Sequence, residues 1–246
     1  MELAPEGFEQ VDGDRFVEFA LYGAPGELPE LPRGRASVGG VTVEVAGEPV
    51  AEDWADRWRT FHRPVTVGGR MHVRPPWTEA QRGCIDIVID PGQAFGTGAH
   101  PTTQLCLELL LDAPAGGPLA DLGCGSGVLA IAAAKLGFAP IVAVDNELEA
   151  LEATRENARR NDVTLQEVDR VDLRSEPVPV APVTVGNLVR PLLLEVAARL
   201  PEQPETLIVS GLLDGEEDEV AAAFAPLLER RRLRLQGWSA LLLTRP

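Results

Sequence analysis

Residues 121–127 read Asp-Leu-Gly-Cys-Gly-Ser-Gly and lie between two apolar segments. Residues 119–122 begin a short strand, and residues 128–136 form a helix that Gly137 ends, because glycine suits the left-handed position after a helix. Three alternating glycines let the backbone approach a ligand where a Cβ atom would collide with it. The helix start behind them adds unpaired backbone N–H groups. The turn is therefore a candidate ligand site, with a tight turn that binds nothing as the alternative.

Apolar strands and helices continue to alternate after this turn. One strand is also expected before the turn, at 85–89. After the turn, strands are expected at 141–144, 183–185 and 207–210, helices at 147–161, 191–200 and 214–229, and a closing antiparallel pair at 233–235 and 241–243. Such an alternation is typical of a parallel sheet covered by helices on both faces. We therefore predict an α/β fold with a doubly wound, mostly parallel sheet. Ligands of such sheets bind at the carboxyl ends of the strands.

The order of the glycines indicates which ligand binds. The dinucleotide fingerprint G-x-G-x-x-G would require a glycine where Val128 stands. The order D-x-G-x-G-x-G instead resembles the glycine loop of Rossmann-like S-adenosylmethionine-dependent methyltransferases. That cofactor has no pyrophosphate and carries a cationic amino-acid end, which Asp121 would suit directly or through water. A nicotinamide oxidoreductase is the alternative that Val128 disfavours.

Two further carboxylates follow predicted strands. Asp145 ends the strand after the glycine loop, where a carboxylate can accept both hydroxyls of a ribose. It could also act as the N-cap of the helix that begins near Glu147, and both roles can coexist. Asp172 is a weaker candidate for the adenine amino group, because Asp169 lies nearby in the same polar run.

Residues 95–103 read Phe-Gly-Thr-Gly-Ala-His-Pro-Thr-Thr, a glycine-rich loop that enters a helix. Pro101 suits the first helical turn, and Thr102 or Thr103 suits the cap. Taken alone, the segment could be only a capped helix start. Together with residues 90–94, Asp-Pro-Gly-Gln-Ala, it resembles the signature of the ribosomal protein L11 methyltransferase (PrmA) family.

Other segments extend this resemblance over residues 52–246. The glycine loop follows the signature at the spacing that the family uses, and further matches occur in order at Trp54 and Trp58, Pro75-Pro76-Trp77, Asn187-Leu188 and residues 210–213. The combination is far more specific than any one motif. It implies a Rossmann-like methyltransferase fold with a small N-terminal β-rich domain.

The resemblance also implies a reaction and its residues. The chain would transfer methyl groups from S-adenosylmethionine to amino groups of ribosomal protein L11, on lysine side chains, the N-terminal amine or both. The cofactor would be held by Thr103, Gly123, Asp145 and Asn187, and we add Asp121, Gly125, Phe95, Gly96 and Thr97 to the predicted cofactor site. Asn187 would also orient the target nitrogen as the catalytic residue. Asp90 and His100 are candidates for a base, and each also has a structural interpretation.

The resemblance divides the chain into three parts. Residues 1–51 would be a β-rich substrate-recognition piece, with strands near 16–21 and 41–45, and shorter than the family's N-terminal domain. Residues 52–80 would be a linker with the Trp54/Trp58 helix, and residues 81–246 the methyltransferase domain. The strand before Asn187 begins with Ala181-Pro182 where an acid is expected, and Arg190 follows closely. These departures concern the acceptor protein rather than the cofactor.

Composition excludes several classes of function. Acidic residues outnumber basic ones 38 to 22, for a formal charge of −16, which argues against phosphate-driven nucleic-acid binding. Neither the three cysteines nor the three histidines have the spacing of a metal site. We see no secretory signal and no apolar run of bilayer length. We therefore expect a cytoplasmic protein with reduced cysteines, without a bound metal, and monomeric by default.

Two alternatives remain open within the methyltransferase interpretation. The same scaffold could methylate another protein or a small molecule, because fold and cofactor do not fix the acceptor. The chain could also be a non-catalytic S-adenosylmethionine-binding module. The presence of Asn187 and of the 95–103 loop disfavours that module, which would need neither.

Overall fold

A computed structural model describes residues 9–12, 17–20, 34–38, 41–45, 62–90 and 96–246. The chain forms two compact units, residues 1–57 and residues 58–246. The expected Trp54/Trp58 helix lies outside the described residues.

The first unit contains two small antiparallel sheets. They are formed by β1 (Glu9–Asp12) with β2 (Val17–Ala20) and by β3 (Gly34–Val38) with β4 (Val41–Val45). Arg35 lies opposite Glu44 in the second sheet and forms an exposed ion pair with it at 2.9 Å. β2 and β4 are the strands expected near 16–21 and 41–45.

A three-stranded sheet opens the second unit. It consists of β5 (Val65–Val67), β6 (Met71–Arg74) and β7 (Ile85–Val88), with β5 antiparallel and β7 parallel to β6. Two hydrogen bonds join β6 directly to β7 across the long connection between them: the Arg74 guanidinium donates to both carboxylate oxygens of Asp86, at 2.7 and 2.9 Å. Of these strands only β7 was predicted, as 85–89. The others are short, and Thr66, His72 and Arg74 interrupt their apolar pattern.

The main sheet has seven strands in the order β10-β9-β8-β11-β12-β14-β13. They are β8 (Leu119–Leu122), β9 (Ile141–Asp145), β10 (Glu167–Arg170), β11 (Val183–Asn187), β12 (Thr206–Leu213), β13 (Leu228–Leu235) and β14 (Trp238–Thr244). All neighbours pair in parallel except β14, which is antiparallel to both β12 and β13. The predicted doubly wound, mostly parallel sheet is confirmed. Its direction of winding reverses between β8 and β11, where such sheets form a ligand crevice.

Helices cover both faces of this sheet. They are α1 (Pro101–Leu110), α2 (Val128–Lys135), α3 (Leu148–Arg160), α4 (Arg190–Arg199) and α5 (Glu217–Ala223). Side chains from α1, α2 and α3 share one hydrophobic core, and those from α4 and α5 share the other. The strands serve both cores by alternation, since Leu242 of β14 lies in the first core and its neighbours Leu241 and Leu243 lie in the second.

Two local predictions are wrong, and one strand was missed. The helix expected at 214–229 covers only Glu217–Ala223, because Pro226 lacks the N–H that would extend it and residues from Leu228 onward pair with β14. The N-cap of α1 is His100, not a threonine; its side chain accepts from the Thr102 N–H. β10 was not predicted at all, because its side chains are mostly exposed and only its backbone pairs with β9.

A β-bulge at Gly211 makes room for the chain that leaves β11. The register of β12 against β14 shifts between Ser210 and Leu212, and Gly211 has a φ of +89°. A Cβ atom at this position would lie 2.3 Å from the carbonyl oxygen of Leu188. The backbone of β12 therefore supports the segment directly after Asn187.

We expect Gly211→Ala to lower the free energy of unfolding by about 3 kcal/mol or more, through a left-handed backbone and a collision with backbone atoms. Gly237→Ala is the matched control, because Gly237 has a φ of +80° but open space around a new Cβ. It should cost only about 1 kcal/mol, the backbone strain alone. Urea unfolding measures both. Equal losses would show that the Leu188 backbone is free to move away.

Candidate functional site

A cleft of about 220 Å³ lies across the carboxyl ends of four adjacent strands, β10, β9, β8 and β11. It includes the point between β8 and β11 where the winding of the sheet reverses. The cleft brings together seven residues named from the sequence: Gly96, Thr103, Gly123, Gly125, Asp145, Asp172 and Asn187.

Two predicted site residues are not in this lining, and a third lies outside the described residues. Asp121 is buried in β8, below the glycine loop. Thr97 lines a separate, smaller depression with His62 and Pro75. Phe95 lies outside the described residues.

Strand β9 holds the glycine loop in place. The carbonyl oxygen of Val144 accepts from the N–H groups of Gly123 and Cys124, at 2.8 and 2.9 Å. The Asp145 carboxylate continues this pattern, since Oδ2 accepts from the Gly125 N–H at 2.9 Å and Oδ1 from the Glu147 N–H at 3.1 Å. The N-cap position of α3 is Glu147, so Asp145 itself is not the cap. Two backbone donors thus orient a carboxylate at the edge of the cleft.

Asp121 lies directly behind this loop with 0% of its surface exposed. One carboxylate oxygen accepts from the Ala130 N–H at 3.0 Å, and the other has no partner among the described residues. Burial raises the pKa of Asp121 to about 7, and the nearby Asp145 charge contributes in the same direction. An interaction with a cofactor would have to pass through the loop or through water.

Thr103 and Asn187 form a polar pair at the β11 end of the cleft. Thr103 lies in the first turn of α1 and is fully buried, and Asn187 is the last residue of β11. The side-chain amide nitrogen of Asn187 donates to the Thr103 hydroxyl oxygen at 3.3 Å. A helix and a strand that are distant in sequence thus fix the orientation of one amide.

The start of α1 is held from two sides. The His100 ring caps the helix and packs edge-on against Trp238 of β14, with ring centroids 5.1 Å apart. Burial lowers the pKa of His100. Asp90, the other residue considered as a base, forms an ion pair with Arg160 at 3.2 Å. Neither His100 nor Asp90 lines the cleft.

Sequence reasoning did not identify several cleft residues. They include Asn146, Glu147, Arg174, Leu188 and Leu192. Each follows the carboxyl end of a strand, so strand ends are the signal that could have found them. Arg174 also required β10, which was not predicted. Leu188 packs above the glycine loop, where a Cβ on Gly123 would lie 2.4 Å from its Cδ2 atom.

Asp172 also lines the cleft, beyond the end of β10. Its carboxylate accepts from the Arg174 N–H at 3.0 Å and from the Ser175 hydroxyl at 2.7 Å. These hydrogen bonds hold the pKa of Asp172 below its usual value, and the bond from Ser175 has the largest effect.

The described part of the chain has neither a helix that could span a membrane nor a cluster of metal-ligating side chains. None of its helices combines the length and the apolar character needed to cross a bilayer. Within these same residues, no group of three or more His, Cys, Asp and Glu side chains could hold a metal ion.

Comparison with known proteins gives a consistent result. The family model "Ribosomal protein L11 methyltransferase (PrmA)" matches residues 35–246, beginning earlier than the resemblance noted at 52–246. The chain is similar to the ribosomal protein L11 methyltransferase of Pelobacter propionicus, with 40% identity over 79% of this chain and 67% of the relative. The corresponding protein of Citrifermentans bemidjiense shows 43% identity over 79% and 68%.

A solved structure resembles the chain as well. The crystal structure of ribosomal protein L11 methylase from Lactobacillus delbrueckii subsp. bulgaricus superposes with a TM-score of 0.67 at 28% identity. The match covers 75% of this chain and 99% of that one.

The buried carboxyl of Asp121 predicts a pH-dependent stability. Its folded pKa of about 7 exceeds the unfolded value of about 4, so between these values the folded chain holds a proton that the unfolded chain has released. The stability of the wild type therefore falls as pH rises through this window. Asp121→Asn keeps an acceptor for Ala130 but cannot ionise. We expect the free energy of unfolding of Asp121→Asn, measured relative to the wild type in urea titrations, to rise by about 2–3 kcal/mol between pH ~5 and ~8. A difference that does not vary with pH would contradict this assignment.

Proposed function

Because this chain belongs to the ribosomal protein L11 methyltransferase (PrmA) family, we propose that it methylates amino groups of ribosomal protein L11. The acceptors are lysine side chains, the N-terminal amine or both, and the reaction takes place in the cytoplasm. The cofactor is S-adenosylmethionine. The observation that carries the proposal is the Asn187–Thr103 pair, which presents an oriented amide inside the cleft that the glycine loop forms.

The residues of the cleft fit this cofactor. The loop at Gly123 has no space for a Cβ atom, and Val128 occupies the position where a dinucleotide site would need its third glycine. Asp145 is oriented by two N–H groups and retains lone pairs on both oxygens for the hydroxyls of a ribose. Val171 and Leu173 give the β10 side of the cleft an apolar surface suited to adenine, next to Asp172.

When bound, S-adenosylmethionine supplies a methyl group on a sulfonium centre. The chain's contribution is then mainly to hold the acceptor nitrogen in line with that methyl group. Because the amide nitrogen of Asn187 is directed at Thr103, the amide oxygen can accept a hydrogen bond from the acceptor amine. This bond would direct the nitrogen lone pair. We assign no side chain as a base, since Asp90 and His100 both have structural partners away from the cleft.

Asp145→Ala should weaken the binding of S-adenosylmethionine by at least about tenfold, because two hydrogen bonds to the ribose and the anchor of the Gly125 N–H are lost together. Isothermal titration calorimetry measures the change. Asp169→Ala is the control; Asp169 is an exposed carboxylate on the adjacent strand β10, opposite Val144 and outside the cleft. Equal affinities for the two variants would remove Asp145 from the cofactor site.

Intact-mass analysis of ribosomal protein L11 from the same organism tests the activity. Incubation with the wild type and S-adenosylmethionine should add increments of about 14 Da, one for each methyl group. Asn187→Ala should bind the cofactor within about threefold of the wild type but methylate at least about a hundredfold more slowly, because the nitrogen is no longer positioned.

The outcomes of this experiment separate the alternatives. Unmodified L11 together with intact cofactor binding by the wild type would mean that the acceptor is another protein or a small molecule. Full methylation by Asn187→Ala would refute the positioning role of that amide.

A further inference from the structure

One face of α3, together with its C-cap residue Asn161, carries three buried polar side chains. Thr154, Asn157 and Asn161 are 0%, 1% and 6% exposed, and their spacing of three and four residues places them on the same side of the helix. Buried polar groups destabilise a protein unless they form hydrogen bonds. Each of the three does so, with chain segments other than the helix itself.

Asn161 binds only the three-stranded sheet and its own helix. Its Oδ1 accepts from the Val88 N–H at 2.8 Å, and its Nδ2 donates to the Val88 carbonyl at 2.6 Å and to the Asn157 carbonyl at 2.8 Å. The amide thus pairs with the end of β7 as a neighbouring strand would.

Asn157 joins two different segments. Its Oδ1 accepts from the Asp90 N–H at 3.0 Å, just beyond β7, and its Nδ2 donates to the carbonyl of Ser126 in the glycine loop at 2.9 Å. The Ser126 hydroxyl in turn donates to the Gly96 carbonyl at 2.6 Å. The glycine loop is therefore linked to Asp90 through Asn157 and to Gly96 through the Ser126 hydroxyl.

The residue type fits this position closely. The Asp90 N–H needs an acceptor, and the Ser126 carbonyl needs a donor. An amide side chain supplies both, whereas a carboxylate would place a second oxygen against the Ser126 carbonyl. An apolar side chain would leave both backbone groups without partners.

We propose that Asn157 is a positioning residue for the cofactor: it fixes the glycine loop against Asp90, just beyond β7, and so sets the affinity for S-adenosylmethionine. It acts through Ser126 and Asp90, because its own side chain does not line the cleft. The inference depends on the proposed function only for the identity of the ligand.

The test compares Asn157→Ala with Asn161→Ala. Asn157 lies in the last turn of α3 and Asn161 is its C-cap; both are buried and both bind backbone at or just beyond the end of β7, but only Asn157 reaches the glycine loop. Both variants should lose stability in urea. Calorimetry should show about tenfold weaker binding of S-adenosylmethionine for Asn157→Ala and less than about threefold for Asn161→Ala, a tenfold change corresponding to the loss of roughly one hydrogen bond to the loop. In turnover, KM for the cofactor should rise while kcat at saturation stays within about threefold.

Equal losses of affinity in the two variants, or unchanged affinity in Asn157→Ala, would overturn the proposal. Failure of the wild type to bind the cofactor would instead count against the proposed function. The two failures are therefore distinguishable.

Amide hydrogen exchange in the wild type tests the same coupling if Asn157→Ala does not fold. Addition of S-adenosylmethionine should slow exchange at the Asp90 N–H, which binds Asn157, more than at the Val88 N–H, which binds Asn161. Slower exchange at the Gly125 N–H without any change at Asp90 would overturn the proposal.

Discussion

The three glycines of the glycine loop have no side chains with which to stabilise it, so other parts of the chain must provide partners for its backbone groups. Strand β9 supplies the Val144 carbonyl and the Asp145 carboxylate, and helix α3 supplies Thr154, which donates to the Gly125 carbonyl at 2.9 Å. Asn157 completes the set at Ser126. A single strand–helix unit therefore determines where the loop lies. The loop glycines Gly123 and Gly125 line the cleft, so the shape of the cleft follows from that placement.

Most of the fold could be predicted from local sequence, because the central strands are apolar and glycines or prolines mark their ends. β8, β9, β11 and β12 are of this kind. Prediction failed where local signals are weak or misleading. β10 lies at the edge of the sheet and is held mainly through its backbone, so its sequence resembles a polar loop. The α5 region is rich in acids and alanines that favour a helix, yet pairing with β14 takes over from Leu228.

The candidate site could be predicted in part, because some of its residues lie next to a strand end in the sequence, whereas others depend on partners far away in the chain. Gly123, Gly125 and Asp145 follow directly from strand ends next to them in the chain. Asn157 could not be found in this way, because its partner Asp90 is 67 residues away and nothing near Asn157 marks it as more than a helical residue. The sequence also could not say which way Asp121 points. Its place beneath the loop depends on how β8 faces α2.

The bulge at Gly211 also changes the parity of β12. Before it, the odd-numbered Leu207 and Val209 face the core shared with α4 and α5; after it, the even-numbered Leu212 does. If Gly211 took a regular place in the ladder instead of bulging out, Leu212 would turn to the opposite layer, and Leu213, now 51% exposed, would have to enter the core. One residue thus decides which leucine is inside and which is outside. The bulge is therefore as strict a constraint on this strand as its composition, because a regular pairing of the same residues would exchange the two faces of the strand end beside the cleft.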